Sequence, residues 1–173
     1  YAYTNPSEQA GSDSKLEILA FTNGGDTIGD YVFQNHPNLT NATISPQVTT
    51  IGLRPFKDCM ALENVSFAGG PYFTCEGYII FSLENGSKKG IVQCLPNRSK
   101  TVAPGELVGV VEMSDEAFMD CDKLGSIDFS QSSLTRVPKS AFQDTDTLFS
   151  VMLPNGCKSI STNAFHDSSV QFV

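Results

Sequence analysis

The sequence predicts a mostly β-structured solenoid, built from stacked repeats of about 23 residues. The clearest sign of the repeat is a set of phenylalanines separated by 23, 62, 24 and 23 residues, namely Phe33, Phe56, Phe118, Phe142 and Phe165. One repeat of this length cannot bury its apolar face alone, so neighbouring repeats have to stack. The single long interval, between Phe56 and Phe118, predicts an insertion into an otherwise regular array.

The second half of each repeat is expected to form a short strand with one buried face. It has the pattern Leu-x-x-apolar-x-apolar, in which apolar residues alternate towards the end. The pattern occurs at residues 16–21, 39–44, 62–67, 124–129 and 148–153. Equivalent strands of a solenoid lie side by side, so these segments are predicted to form a parallel β ladder.

The first half of each repeat is too short for a full helix and is expected to be a tight turn or a 3-10 segment that ends on the phenylalanine. Two residues after the phenylalanine the sequence always has Asn or Asp, as Asn35, Asp58, Asp120, Asp144 and Asp167. These side chains are expected to fix the turns by hydrogen bonding to nearby backbone N–H groups. A ladder of metal ligands is the alternative, but calcium needs several converging oxygens and each turn supplies one such side chain. No metal site is therefore predicted.

The long interval is predicted to hold a β-hairpin. Residues 78–81 and 91–95 are mainly apolar and flank Asn85-Gly86, a strong signal for a hairpin turn. Further on, residues 101–104 resemble residues 43–46, so the chain is expected to rejoin the ladder there.

The domain organisation follows from the repeats. Residues 1–14 are small and polar, and we expect them to form a tail or linker. Residues 15–173 are expected to form a single repeat domain, with the hairpin insert at about 70–100. Residues 169–173 are predicted to be a shortened last strand.

Charge and composition argue against several classes of function. The 173-residue chain has a net charge of −8 and a pI near 4.6, with no cluster of Lys or Arg. Nucleic acids and anionic membrane surfaces both require a basic face, so neither is an expected partner. No apolar run approaches the roughly 20 residues needed to span a bilayer, and membrane insertion by this segment is not expected.

The five cysteines are an odd number and cannot all pair within one chain. Cys59 and Cys121 occupy the same repeat position, three residues after the phenylalanine, and are expected to be small buried residues. Cys75 and Cys94 lie in the insert, where they could form a disulfide across the hairpin or stay as thiols. The sequence has no His and Cys spacing suited to zinc.

The segment Ile51 to Phe67 reads Ile-Gly-x-x-x-Phe-x-x-Cys-x-x-Leu-x-x-Val-x-Phe, and Asp115 to Leu124 shares its central part. This pattern resembles the BspA-type leucine-rich repeat, also called the Treponema pallidum type. The insert from Cys75 to Pro96 is similar to that family's interrupting hairpin, whereas residues 53–55 depart from the family pattern just before Phe56. The resemblance implies a leucine-rich-repeat solenoid and a secreted or surface-anchored protein, described in the family as an adhesin or host-interaction module.

The sequence carries no pattern typical of a catalytic site. Its two histidines, His36 and His166, occupy repeat positions, and no pair of carboxylates stands out for acid–base chemistry. The family that the chain resembles has no shared catalytic residues. No catalytic residue and no cofactor are therefore predicted, and the protein is not expected to be an enzyme.

The surface best suited to binding is the exposed side of the parallel sheet, where outward side chains alternate with buried ones. Eight mainly small and polar residues give it a shallow surface, namely Asn41, Thr43, Asn64, Ser66, Ser126, Asp128, Ser150 and Met152. The simpler alternative is a solvated face that binds nothing.

Three functions remain open at this point. The first is a protein-binding surface module of the adhesin type, with a host surface protein as one partner to consider. The second is a glycan-binding accessory domain, for which Tyr72, Phe73 and Tyr78 in the insert are the aromatic candidates. The third is a passive spacer in a larger extracellular or cell-surface protein.

Overall fold

The computed structural model describes residues 15–22, 25–96 and 100–171, and it has the predicted solenoid architecture. Short strands alternate with turns, and one 3-10 helix covers Pro104–Leu107. The strands in chain order are β1 (Ile18–Phe21), β2 (Thr27–Ile28), β3 (Asn41–Ile44), β4 (Thr50–Ile51), β5 (Asn64–Ser66), β6 (Phe73–Glu76), β7 (Ile79–Glu84), β8 (Ser87–Cys94), β9 (Lys100–Val102), β10 (Glu112–Met113), β11 (Leu124–Asp128), β12 (Arg136–Val137), β13 (Ser150–Met152) and β14 (Ser159–Ile160). No helix of the described residues is long and apolar enough to cross a membrane.

Two predictions concern the ends of the chain. The tail predicted at residues 1–14 lies outside the described residues. The shortened last strand is wrong for residues 169–171, which are not in a strand. A backbone hydrogen bond from Gln171 to the Phe149 carbonyl, 3.0 Å long, holds this segment to the preceding turn without building a ladder.

Parallel pairing follows the repeat period, which confirms the predicted ladder. In the first sheet, of order β1-β3-β5, Asn41 pairs with Asn64 and Ala42 with Val65. In the second sheet β11 lies between β9 and β13, so the chain does rejoin the ladder after the insert. Two further pairs, β2 with β4 and β12 with β14, form before the turns. The two main sheets are separate because no strand of the described residues pairs with the second edge of β5.

The residue two positions after each repeat phenylalanine has a left-handed backbone, with φ between 50° and 60° at Asn35, Asp58, Asp120, Asp144 and Asp167. Asn and Asp adopt this conformation more readily than other non-glycine residues, which accounts for the position. The predicted role is thus partly wrong. Asp120 and Asp144 accept hydrogen bonds from the side chains of Arg54 and Gln143, whereas the sequence predicts backbone N–H donors.

Backbone hydrogen bonds join each turn to the next on the side of the solenoid opposite the main sheets. The N–H groups of Phe33, Phe118 and Phe142 each donate, over 2.8 Å, to the carbonyl of the residue just before the next repeat phenylalanine. The acceptors are Pro55, Ala141 and Ala164. The phenylalanine rings stack in the same direction, with centroids 5.4 Å apart for Phe33 and Phe56 and 5.2 Å apart for Phe142 and Phe165. The turns are therefore held by backbone pairing outside and aromatic packing inside.

The predicted hairpin is confirmed, and it divides the core. β7 and β8 pair in an antiparallel way around Asn85-Gly86, and β6 adds a third strand. Ile80 and Val92 pack into a cluster with Phe33 and Phe56, which we call the N-terminal cluster. The other face of the hairpin packs into a second cluster with Phe118 and Phe142, which we call the C-terminal cluster. The hairpin contributes Ile79, Phe81 and Ile91 to it. The phenylalanine spine is thus two stacks with the hairpin between them, whereas the repeats alone predict one.

The left-handed position gives a direct stability test at Asp58. Asp58→Ala is expected to lower the free energy of unfolding by about 1 kcal/mol, because a Cβ without a compensating polar group is disfavoured at φ 58°. Asp58→Gly is expected to stay within about 0.5 kcal/mol of the parent, since glycine adopts this conformation freely. Urea titration of the two variants measures the difference, and equal losses would show that the carboxylate matters more than the backbone.

Candidate functional site

The eight predicted face residues lie in two groups. On the first sheet Asn41 is paired with Asn64, and Thr43 with Ser66. On the second sheet Ser126 is paired with Ser150, and Asp128 with Met152. The structure brings each group together, but it does not join the two groups into one surface because the ladder is interrupted after β5.

None of the eight side chains is buried, which agrees with a face turned to solvent. Asn41, Asn64, Ser66 and Met152 are exposed, and the other four are half-buried. The second group is partly ordered by its own hydrogen bonds. The hydroxyls of Thr101 and Ser126 lie 2.9 Å apart, and the Asp128 carboxylate accepts the N–H of Ser130 over 2.7 Å.

Phe149 is a surface residue that the sequence reasoning missed. It is 53% exposed and directly precedes β13, the edge strand of the second sheet, whose last residue, Met152, is 54% exposed. The sequence held a signal for it. In other repeats the residue after the repeat leucine is polar or small, as at Thr40, Glu63 and Gly125. Phe149 occupies the same position with a large apolar side chain.

Polar side chains restore the hydrogen bonding where the hairpin interrupts the turns. The N–H of Phe56, which has no following turn to pair with, donates to Gln93 Oε1 over 3.2 Å. The N–H of Cys94 in turn donates to the Ala117 carbonyl over 2.6 Å. The end of β8 thus takes the place of a missing turn between the two halves.

Arg54 links the same two halves directly, and we call its contacts the Arg54 bridge. Its Nη2 donates to Asp120 Oδ2 over 2.7 Å and to the Met119 carbonyl over 3.3 Å, and Nη1 lies 3.9 Å from Glu116 Oε2. Tyr31 extends the bridge by donating its hydroxyl to Glu116 over 3.1 Å. Burial, followed by this hydrogen bond, raises the pKa of Tyr31. The departure of residues 53–55 from the family pattern therefore has a structural reason.

The cysteines are all free thiols in the structure, including Cys75 and Cys94. Burial raises the pKa of Cys59 to about 12 and that of Cys75 to about 11. Cys59 also donates its proton to the Phe33 carbonyl over 3.0 Å. Both thiols are thus protonated at neutral pH, and the thiolate needed for nucleophilic attack is scarce.

One group of described residues has the geometry of a cation site. The ligand atoms of Asp144, His166 and Asp167 all lie within 4.8 Å of one another, and the last two residues are exposed. Asp144 and Asp167 are neighbours because the left-handed positions stack, so turn geometry already accounts for the grouping. The pKa of Asp122, close to this group, is raised first by burial of its carboxyl and then by the negative charges of Asp146, Asp120 and Asp144.

The three aromatic candidates for glycan stacking do not share one environment. Phe73 is buried, with its ring centroid 5.7 Å from that of Phe67, so it offers little of its ring face to solvent. Tyr72 and Tyr78 are exposed, at 44% and 36%. A flat platform of the three rings is therefore not formed.

These features define a repeat solenoid of the leucine-rich class, with a backbone ladder, an aromatic spine and an inserted hairpin. The chain belongs to the BspA-type leucine-rich repeat family. The family model, described as a BspA type leucine rich repeat region, matches six copies over residues 3–77 and 107–173. The stretch between the matches contains β7, β8 and β9.

Three solved structures share the fold at low sequence identity. The pneumococcal vaccine antigen PcpA has 21% identity and a TM-score of 0.70, with 84% of this chain and 35% of that chain covered. A leucine-rich cell surface protein of Faecalibacterium prausnitzii has 22% identity and a TM-score of 0.51, over 91% of this chain and 41% of that one. The T. pallidum leucine-rich repeat protein has 17% identity and a TM-score of 0.52, over 89% and 77%.

The chain thus spans well under half of the first two proteins, and these similarities concern the fold. A comparison with curated proteins gave no match.

Proposed function

We propose that this domain is a non-enzymatic interaction module of a secreted or cell-surface protein, and that it binds a protein partner. The family and the surface location named for the Faecalibacterium relative support this proposal. The net charge of −8 supports a protein partner over a nucleic acid.

The observation that carries the proposal is the pair of large apolar side chains at the two ends of β13, the edge strand of the second sheet. Phe149 and Met152 are each more than half exposed, beside small polar residues of β11 and β13. Aromatic and methionine side chains are enriched at protein interfaces, and a few such residues supply most of the binding energy. The half-buried Ser126 and Ser150 fit a polar rim around them.

The test is the capture of surface proteins from host-cell extracts by the immobilised domain, followed by affinity measurement with each purified partner. The double variant Phe149→Ser/Met152→Ser is expected to weaken binding at least about tenfold, because two interface anchors are lost. Val108→Ser is the matched control, since Val108 is 54% exposed and lies outside the second sheet.

Two results would contradict the proposal. If no protein were enriched over a blank matrix, a passive spacer would be the better description. If the double variant bound its partner as well as the parent and the Val108→Ser control, the binding surface would lie elsewhere on the domain.

A further inference from the structure

A cavity of about 420 Å³ lies where the first main sheet ends. It is open to solvent on one side and is lined by β5, the loop at Gly69-Gly70, β6 and Leu83 of β7, and we call it the sheet-end pocket. Sites for small ligands in proteins have volumes of about 300–1,000 Å³, so the pocket is large enough for one ring-sized group. We propose that the sheet-end pocket binds one neutral saccharide residue.

The pocket is held open by packed residues. The chain leaves β5 through a sharp turn with φ 48° at Ala68 and 76° at Gly69. A Cβ at Gly70 would lie 2.9 Å from both Cα and the carbonyl oxygen of Pro46, so the loop sits tightly on the preceding turn. The buried rings of Phe67 and Phe73 pack against each other below it. A ligand would thus meet a shape that already exists, which lowers the cost of binding.

The charge of the pocket selects a neutral ligand. Its lining contains no Asp, Glu, Lys, Arg or His. Cys75, the one titratable side chain in the lining, is protonated at neutral pH because burial raises its pKa to about 11. An ionic ligand would therefore meet no counter-charge in the lining, and the net charge of −8 further disfavours anionic ligands.

The polar groups of the pocket are free to bind hydroxyls. The side chains of Asn64 and Thr74 form no hydrogen bond with any described residue. The Ser66 hydroxyl accepts one long bond, 3.4 Å, from the N–H of Ala68 and keeps its own proton to donate. The half-buried side chain of Leu83 adds an apolar surface beside these groups. A saccharide ring carries hydroxyls around its edge and C–H groups on its faces, and so matches both kinds of wall.

A neutral extended peptide is the competing occupant, because β5 ends its sheet and free sheet edges can accept a further strand. Cys75 makes this arrangement less suitable. Its half-buried side chain lines the same pocket and packs against the core cluster that contains Val65, beside the edge that a peptide would have to use. The pocket is also remote in the chain from Phe149 and Met152, so the saccharide proposal does not depend on the protein-binding proposal.

The experiment is an NMR titration of the labelled domain with the methyl glycosides of glucose, galactose, mannose and N-acetylglucosamine. At least one is expected to bind with a millimolar Kd and to shift the amide signals of Asn64, Thr74 and Gly70. Asn64→Ala is expected to raise the Kd about fivefold or more, because it removes side-chain hydrogen bonds. Asn41→Ala is the matched control, since Asn41 pairs with Asn64 one turn earlier and does not line the pocket.

A second variant fills the pocket instead of removing a hydrogen bond. Ser66→Phe, at an exposed strand position, is expected to abolish the shifts while the other amide signals stay in place. The matching Thr43→Phe, one turn earlier, is expected to leave binding intact.

Three results would overturn the proposal. The first is the absence of shifts at the pocket with every neutral glycoside up to about 50 mM. The second is equal weakening by Asn64→Ala and Asn41→Ala. The third is tighter binding of glucuronic acid or of a neutral Ser-Thr-Asn peptide at the same amides.

Discussion

Phe118→Ala is expected to lower the free energy of unfolding by about 3–5 kcal/mol. The ring is fully buried, stacked at 5.1 Å on Phe142 and packed edge-on at 6.3 Å on Phe129. Truncation removes the apolar contacts of the ring and leaves a cavity next to the hairpin. The cavity can collapse only partly, because both faces of the hairpin are already packed against core residues. The loss is therefore expected to lie at the upper end for a core phenylalanine.

Urea titration at constant pH measures this loss, with the slope of unfolding free energy against urea expected to stay unchanged. Glu63→Ala is the control, because Glu63 is exposed beside β5 and is expected to cost less than about 0.5 kcal/mol. A Phe118→Ala loss as small as that of the control would mean that the aromatic stack contributes little, and the repeat register would have to be revised.

Arg54→Met is expected to lower the free energy of unfolding by about 2–3 kcal/mol. The Arg54 side chain is 3% exposed, and a hydrogen bond to a charged group contributes about 1.5–3 kcal/mol. Removal of one member of a fully buried pair costs more, about 3–5 kcal/mol, but Asp120 is 31% exposed and water can solvate its carboxylate. Methionine keeps most of the apolar volume, so the loss reports on the polar contacts of the Arg54 bridge.

A double-mutant cycle separates the Arg54–Asp120 contact from other effects. With Asp120→Asn as the second variant, the coupling is expected to be about 1–2 kcal/mol and to fall only partly at high salt, because Arg54 is almost fully buried and partly buried pairs are screened less than exposed ones. Lys139→Met is the control for loss of a cation at an exposed position. A coupling near zero would indicate that the two halves are joined by the hairpin core alone.

The repeat period made much of the fold predictable. Phe33, Leu39 and Ile44 recur at fixed intervals because each turn buries the same side chains against the next, and this requirement is written directly into the sequence. The position of Asp58 and its equivalents was predictable for the same reason. Their physical role was not, since a left-handed backbone and a side-chain hydrogen bond favour the same residue types.

The contacts between the two halves left no periodic signal. Arg54 and Asp120 are 66 residues apart and meet only because the hairpin replaces a turn. The sequence showed Arg54 merely as a departure from the family pattern. The same limit applies to the sheet-end pocket, whose walls come from a repeat strand and from the insert, so that neither segment alone predicts a cavity.

The candidate face was predicted from strand alternation, and its residues do lie outside the core. Its division into two groups was not predictable, because residues 101–104 indicated a return to the ladder without showing that β5 would remain an edge. Two separate surfaces follow from this division. One carries Phe149 and Met152, and the other carries the sheet-end pocket.

The most direct test of the stacked arrangement is an NOE measurement on the domain with selectively labelled Phe and Ile side chains. NOEs are expected between the rings of Phe118 and Phe142, which lie 5.1 Å apart, with Ile79 contacting that stack and Ile80 contacting Phe33 and Phe56 instead. Missing ring-to-ring NOEs, or NOEs from both isoleucines to the same stack, would contradict a solenoid whose two halves enclose the hairpin.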